Sequence, residues 1–209
     1  MSEPQSIAVL TGDLINSTAL GPAGVDRAMD ALRDAAQTVE GWGICGPLHF
    51  TRHRGDGWQI VVDDPRYALR VAVMLRATLR AVGADTYIGI AEGPVDHPAG
   101  PNLNTENGQV FAMSGRALEL AKTSDYAITH ARKAAQGIAI LLNRICTEWT
   151  TVQAATIAAA IRPPTNDLSL TDIAERLGKS RQSVTKSLQS AWYWEITGAL
   201  FLLEKSYDD

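Results

Sequence analysis

The run Gly55-Asp56-Gly57, set between two β-like stretches, constrains this chain more tightly than any other feature. Asp-Gly between two such runs is the strongest short-range hairpin signal. The flanking segments show where the hairpin falls. Ser6–Thr11 (SIAVLT) is a short apolar run that reads as a buried strand. Residues 22–40 carry Val25, Met29, Leu32, Ala36 and Val39 at helical spacing, and GWGICGP ends that helix. Strands over about 48–54 and 58–62 form the hairpin. A helix with Pro65 in its first turn then runs to about Val82, followed by the strand TYIGIAEGPV, 86–95. The order β-α-β-β-α-β predicts an α+β fold on the split βαβ, ferredoxin-like plan, an antiparallel sheet with helices on one face. A loop rich in Pro and Asn, a helix over 109–122 and the short strand YAITH extend it.

The texture changes near His130. Helical patterns run from Ala131 to Ile161 with a break near Thr150, RPPTNDLS forms a loop, and short helices fill 170–206. Two domains are expected, residues 1–130 and 131–209, with the boundary within 128–132. In the second, SLTDIAERLGKSRQSVTKSLQSA has the spacing of a helix-turn-helix. Ala174 lets two helices cross closely, Gly178 suits the left-handed residue ending the first helix, and Val184 fills the shared core. Ser169 or Thr171 caps the first helix. Ser180, Arg181, Gln182, Thr185 and Lys186 open the second helix on its outer side, where side chains would meet base edges in a major groove. Trp192, Tyr193 and Trp194, with Leu200 to Leu203, read as core or interface.

Charge sets a limit on that DNA reading. The chain carries 19 basic and 23 acidic residues, a net charge of −4, and so has no global attraction to nucleic acid. Residues 165–209 hold five basic and seven acidic side chains. Binding would need dimerisation, or help from Arg132, Lys133 and Arg144. The two cysteines, Cys45 and Cys146, lie far apart and read as reduced, buried thiols of a cytoplasmic protein rather than a disulfide or zinc site. The start MSEPQSIAVL has no signal-peptide pattern, and no apolar run is long enough for a membrane span. His49, His53, His97 and His130 have no metal-ligand spacing.

The chemistry sits in two carboxylates. Asp13 follows the first strand and Asp56 lies in the hairpin, each directly after a glycine. On the split βαβ plan the first strand lies beside the hairpin, so both reach the same end of the sheet. Two unpaired carboxylates that close repel one another, and a divalent cation removes the penalty. Mg²⁺ typically uses one or two carboxylates plus substrate phosphates, and Mn²⁺ suits the same oxygen donors. Asn16, Ser17 and Thr18 stand at a helix start, where free N–H groups form a ready phosphate site.

AVLTGDLINSTAL followed by RHRGDGWQIVV resembles the two metal-binding segments of class III nucleotidyl cyclases, and IGIAEG and GQVFAMSGRALELAKTSDYAIT resemble that family's later strand and helix. Residues 7–129 carry the resemblance. It implies a cyclase-like, palm-type domain that binds a nucleoside triphosphate with Mg²⁺ or Mn²⁺. Asp13, Asp56 and the carbonyl of Leu14 or Ile15 would be metal ligands, Arg116 a catalytic cation and Arg52 a base reader. It also implies a homodimer that shares its site. Ala112 stands where the family usually has asparagine. With EWTTVQAATIAAAI and the helix-turn-helix, the whole chain resembles the SatD-like family, although GDGWQ replaces GDEFQ. The function this implies is a nucleotide-responsive DNA-binding regulator. An active cyclase making a 3′,5′-cyclic nucleotide and pyrophosphate is the alternative.

Overall fold

The computed structural model describes residues 5–44, 46–53, 55–95 and 98–208. The expectations for Cys45 and His97 lie outside the described residues. Five strands form one sheet: β1 (Gln5–Leu14), β2 (Thr51–His53), β3 (Gly57–Val62), β4 (Thr86–Val95) and β5 (Ile128–His130). Their order is β2-β3-β1-β4-β5. The first four pair antiparallel, as the split βαβ plan requires, and β5 adds itself parallel to β4. The helices are α1 (Ser17–Glu40), α2 (Ala68–Ala81), α3 (Gln109–Thr123), α4 (Lys133–Thr147), α5 (Thr151–Ala160), α6 (Leu170–Leu177), α7 (Arg181–Ser190) and α8 (Tyr193–Lys205). Among the described residues no helix is long and apolar enough to cross a membrane.

Strand alternation gives the sheet two apolar faces. Ala8, Leu10, Trp58, Ile60, Val62, Ile88 and Ile90 point to one face, and α1, α2 and the later helices cover it in a single continuous core. Ile7, Val9, Val61 and Ala91 point to the other, where Val110 and Phe111 of α3 and Leu103 meet them. Helices therefore lie on both faces, which corrects the one-sided arrangement expected from sequence. Gly89 is the reason α3 can settle there: a Cβ on it would lie 2.1 Å from the backbone nitrogen of Leu118. Thr11 and Ser114 then join strand to helix through their hydroxyls at 2.7 Å.

Two boundaries differ from the sequence expectation. β2 is only three residues long, because Pro47 and the left-handed His49 (φ 48°) interrupt pairing before it. α1 starts five residues early, at Ser17, and bends at Gly21 (φ 65°, ψ 171°) before Pro22. The break near Thr150 is present: its hydroxyl caps α5 in a capping box with Gln153.

α2 is buried along almost its whole length between the sheet and α4–α5. Arg70 forms a two-point bond with Glu204 of α8, at 2.6 and 2.9 Å, and also donates to the carbonyl of Arg162. Arg76 forks onto Asp85 at 2.8 and 3.0 Å and donates to Asn143 Oδ1 at 2.7 Å. Arg80 reaches Asp85 and the carbonyls of Thr147 and Trp149. Burial of guanidinium groups is costly without such pairing; it is complete for Arg70 and Arg76, whereas the buried Nε of Arg80 has no partner among the described residues. They bind residues 133–208 to the sheet half through hydrogen bonds as well as the shared core.

Candidate functional site

Asp13 is the penultimate residue of β1, opposite Gly57 on one side and Tyr87 on the other. Its backbone carbonyl accepts from the Thr86 hydroxyl at 2.9 Å, and that hydroxyl accepts from the Trp58 indole N–H at 3.0 Å. Gly12 makes room for the indole, since a Cβ there would lie 2.1 Å from Trp58 Cε2. Asp56 sits in the β2–β3 turn, between Gly55 (φ 83°) and Gly57, whose added Cβ would be 2.6 Å from the His53 carbonyl. The N–H of Leu14 donates to the Asp56 carbonyl at 3.2 Å, tying the turn to the end of β1. The glycines are therefore there for backbone reasons, and the two aspartates they flank arrive at one end of the sheet.

A lysine that sequence reasoning missed pairs with Asp13. Lys122, in the last turn of α3, places its ammonium 2.7 Å from Asp13 Oδ2. The hydrogen bond to Asp13 holds its pKa above the ordinary lysine range; partial burial opposes this, and the charges of Asp13, Glu119 and Asp56 add to the rise. Its only sequence signal was a basic residue in the final turn of α3. The ammonium sits against Asp13 and feels the charge of Asp56, and carboxylate oxygens are the donors that Mg²⁺ or Mn²⁺ takes. Among the described residues no group of three or more His, Cys, Asp or Glu is placed to hold a metal ion, so further ligands would come from carbonyls, water or a bound phosphate.

Asp56 lines an open cleft of about 440 Å³ with Ser17, Thr18, Gly21, Asp26 and Arg52. The hairpin carboxylate, two of the phosphate-site residues and the base-reading candidate are thus brought together. Arg52 is held at the rim by Asp26 Oδ1 at 2.8 Å and by the Gly55 carbonyl at 2.6 Å. Asn16 is separated from them. It takes the N-cap position of α1 in a left-handed conformation (φ 54°) without a side-chain cap, and lines a different pocket with Asp85 and Trp149. Arg116 is also elsewhere, exposed on α3 and lining a groove of about 650 Å³ with Met113, Leu120, Tyr126 and His130. Within one chain Arg116 and Asp56 do not share a cleft.

Two of the histidines have partners in the described structure. His53 is an exposed strand residue whose Nδ1 lies 2.5 Å from Asn104 Oδ1. His130 is buried with Nε2 3.0 Å from Glu92. Burial alone would raise the Glu92 carboxyl, but hydrogen bonds with His130 and Tyr207 and the charges of His130 and Arg132 hold it below the usual range.

α6 and α7 meet through Gly178, left-handed at φ 60°, and Ser169 caps α6 in a box with Asp172. Ser180 caps α7, accepting from the Ser183 N–H. Val184 and Leu188 fill the core beneath, while Arg181, Gln182 and Lys186 are exposed. The Thr185 hydroxyl donates back to the Arg181 carbonyl at 3.0 Å.

No protein-family model matches the chain, and no curated protein does. Among solved structures it is similar to a bacterial light-regulated adenylyl cyclase, at 16% identity and TM-score 0.46, covering 71% of this chain and 82% of that one. It is similar to the catalytic core of a rhodopsin-guanylyl cyclase with converted specificity, in complex with ATPalphaS, at 20% identity and TM-score 0.43, covering 62% and 80%. It is also similar to a dimeric guanylyl cyclase domain of the RhoGC fusion protein of Blastocladiella emersonii, at 18% identity and TM-score 0.43, covering 61% and 79%.

Proposed function

We propose that this protein binds a nucleoside triphosphate together with Mg²⁺ or Mn²⁺ in the cleft between the β2–β3 turn and the start of α1. The observation that carries this reading is the arrival of Asp13 and Asp56 at one sheet end, where Asp13 pairs with the ammonium of Lys122 and the Asp56 turn is bonded to the end of β1. Asp13 and Asp56 would hold the metal, with the Leu14 carbonyl beside them. Ser17, Thr18 and the first N–H groups of α1 would take phosphate oxygens, because a helix start offers unpaired donors and the positive end of its dipole. Arg52 stands at the rim with a planar donor fork that suits a base edge. A bound divalent cation supplies charge neutralisation at the triphosphate and lowers the pKa of a coordinated hydroxyl.

Ring closure to a 3′,5′-cyclic nucleotide with loss of pyrophosphate is the reaction this arrangement supports best. Arg116 favours it: the side chain is exposed on α3 and outside its own chain's cleft, free to stabilise charge in the cleft of a second copy. Ala112 works against rapid turnover, since a methyl group donates no hydrogen bond to substrate. A second reading, a sensor that adjusts DNA binding, draws on the exposed Arg181, Gln182 and Lys186 at the start of α7.

The test is incubation with ATP, GTP, CTP and UTP and either metal, read by mass spectrometry beside Asp56→Ala. Cyclic product that disappears in the variant establishes the enzyme and names its base. Intact triphosphate, with metal-dependent binding by calorimetry that Asp56→Ala abolishes, establishes the sensor. Equal binding by both proteins removes the site. For the DNA arm, Arg181→Ala with Lys186→Ala is expected to weaken binding and flatten its salt dependence.

A further inference from the structure

The C-terminal helix α8 has two apolar faces, and the protein uses only one. Ile196, Leu200, Leu203 and Glu204 point inward. On the opposite side Trp194 is 47% exposed, Phe201 41% and Leu202 71%. Gly198 lies among them, and a Cβ added to it would meet nothing within 4 Å. Residues 194, 198, 201, 202 and 205 follow the i, i+4, i+7, i+8, i+11 spacing of one helical stripe. Scattered surface leucines need no explanation, but a contiguous stripe of large apolar side chains marks an interaction surface. Glycine inside a helix also costs about 1 kcal/mol against alanine, which close approach of another backbone would offset.

We infer that this face of α8 is a homodimer interface, on which α8 packs antiparallel against α8 of a second copy about a two-fold axis level with Leu200. The pattern of the helix selects that occupant. Antiparallel pairing about residue 200 brings 198 level with 202 and 195 level with 205. Leu202, the most exposed large residue of the stripe, then lies over the bare backbone of Gly198 of the partner subunit, and the reverse contact follows by symmetry. Glu195 comes level with Lys205 of the partner subunit, so each end of the pair carries opposite charges. A parallel pair would set Glu195 against itself and Lys205 against itself. Within its own chain Lys205 contacts Asp208 at 3.7 Å and lies 5.9 Å from the Phe201 ring centroid, both long contacts that a closer carboxylate would replace. The 13-residue helix presents a stripe of about 20 Å, with Trp192, 56% exposed, at its start. This inference is independent of the nucleotide reading. It also places the two α7 helices in a symmetric pair, whatever they contact.

Sedimentation velocity of the full chain across about 1–100 µM, the range of ordinary reversible dimers, is the test. The expected result is a dimer that Leu202→Glu converts to monomer while the melting temperature, read by circular dichroism, stays within a few degrees. Glu195→Lys alone and Lys205→Glu alone are each expected to weaken the dimer about tenfold, and the two changes together to restore it. A wild-type monomer throughout that range overturns the inference, including one that instead binds lipid vesicles or another protein through this face. A dimer that Leu202→Glu leaves intact overturns it too, since a different surface then holds the copies together. Loss of the dimer in both single charge variants without rescue in the double variant overturns the antiparallel register.

Discussion

Asp85 and Asp13 stand at neighbouring strand ends, and their backbones run together: the N–H of Ile15 donates to the Asp85 carbonyl at 2.9 Å. Their side chains are held in opposite ways. Asp85 is enclosed by Arg76 and Arg80 from α2 and by the Thr86 N–H. Every one of those donors is part of a regular element, and Arg76 is buried in turn beneath Asn143. Asp13 has one ammonium on a flexible stem that is a third exposed. A guanidinium fork fixes a carboxylate in place, whereas a lysine can leave. The same residue type is thus riveted in one position and loosely paired two residues away from it in space.

The most severe way to break this comparison is Arg76→Ala. It leaves Asp85 and Asn143 without their main partner in a buried setting, and a loss of about 3–5 kcal/mol is expected, measurable by urea denaturation; a loss under about 1 kcal/mol would mean that water replaces the fork. Acid sharpens the contrast next. Burial alone would raise the Asp85 carboxyl, but the Arg76 hydrogen bonds and charge, the Thr86 N–H and Arg80 hold it below the ordinary carboxylate value. A depressed folded value means that Asp85 contributes stability above the unfolded carboxylate pKa, near about 4, and loses that contribution as pH falls through the lower folded value. Asp85→Asn is therefore expected to give a shallower fall in melting temperature between neutral pH and pH 3. The smallest effect concerns Lys122. Lys122→Ala removes the resident cation, and Mn²⁺ binding without nucleotide, followed by electron paramagnetic resonance, is expected to tighten about fivefold, the scale of a partly exposed ion pair. Weaker Mn²⁺ binding would mean that Lys122 supports the site rather than fills it.

Much of this was legible in the sequence, and the reasons are local. The Gly-Asp-Gly turn, the alternation of β1 and β4, the break at Thr150 and the left-handed Gly178 are each set by residues within a few positions of one another. The Asp13–Asp56 pair was legible because topology converts the order of elements into a shared sheet end. What stayed hidden depends on distant partners. ALRVAVMLRATLRA looks like a helix with a solvated arginine face, but the partners that bury Arg70 and Arg76 are Glu204, Asp85 and Asn143. The side of the sheet that α3 covers is decided by Gly89, whose missing Cβ is informative only once the helix lies above it. Lys122 was invisible for the same reason: nothing near it in the chain points to Asp13. Asn16 was grouped with Ser17 and Thr18 by adjacency alone, and its left-handed backbone turns it to another pocket.

The Arg70–Glu204 bond spans 134 positions of sequence, and this bears on how the chain matures during synthesis. By the time residue 130 has left the ribosome, every strand of the sheet is available, yet α2 still carries a guanidinium with no acceptor to lie against. A chain stopped near residue 130 is therefore expected to pack loosely around α2 and to be cut there by proteases, because Arg70 would be buried without its carboxylate.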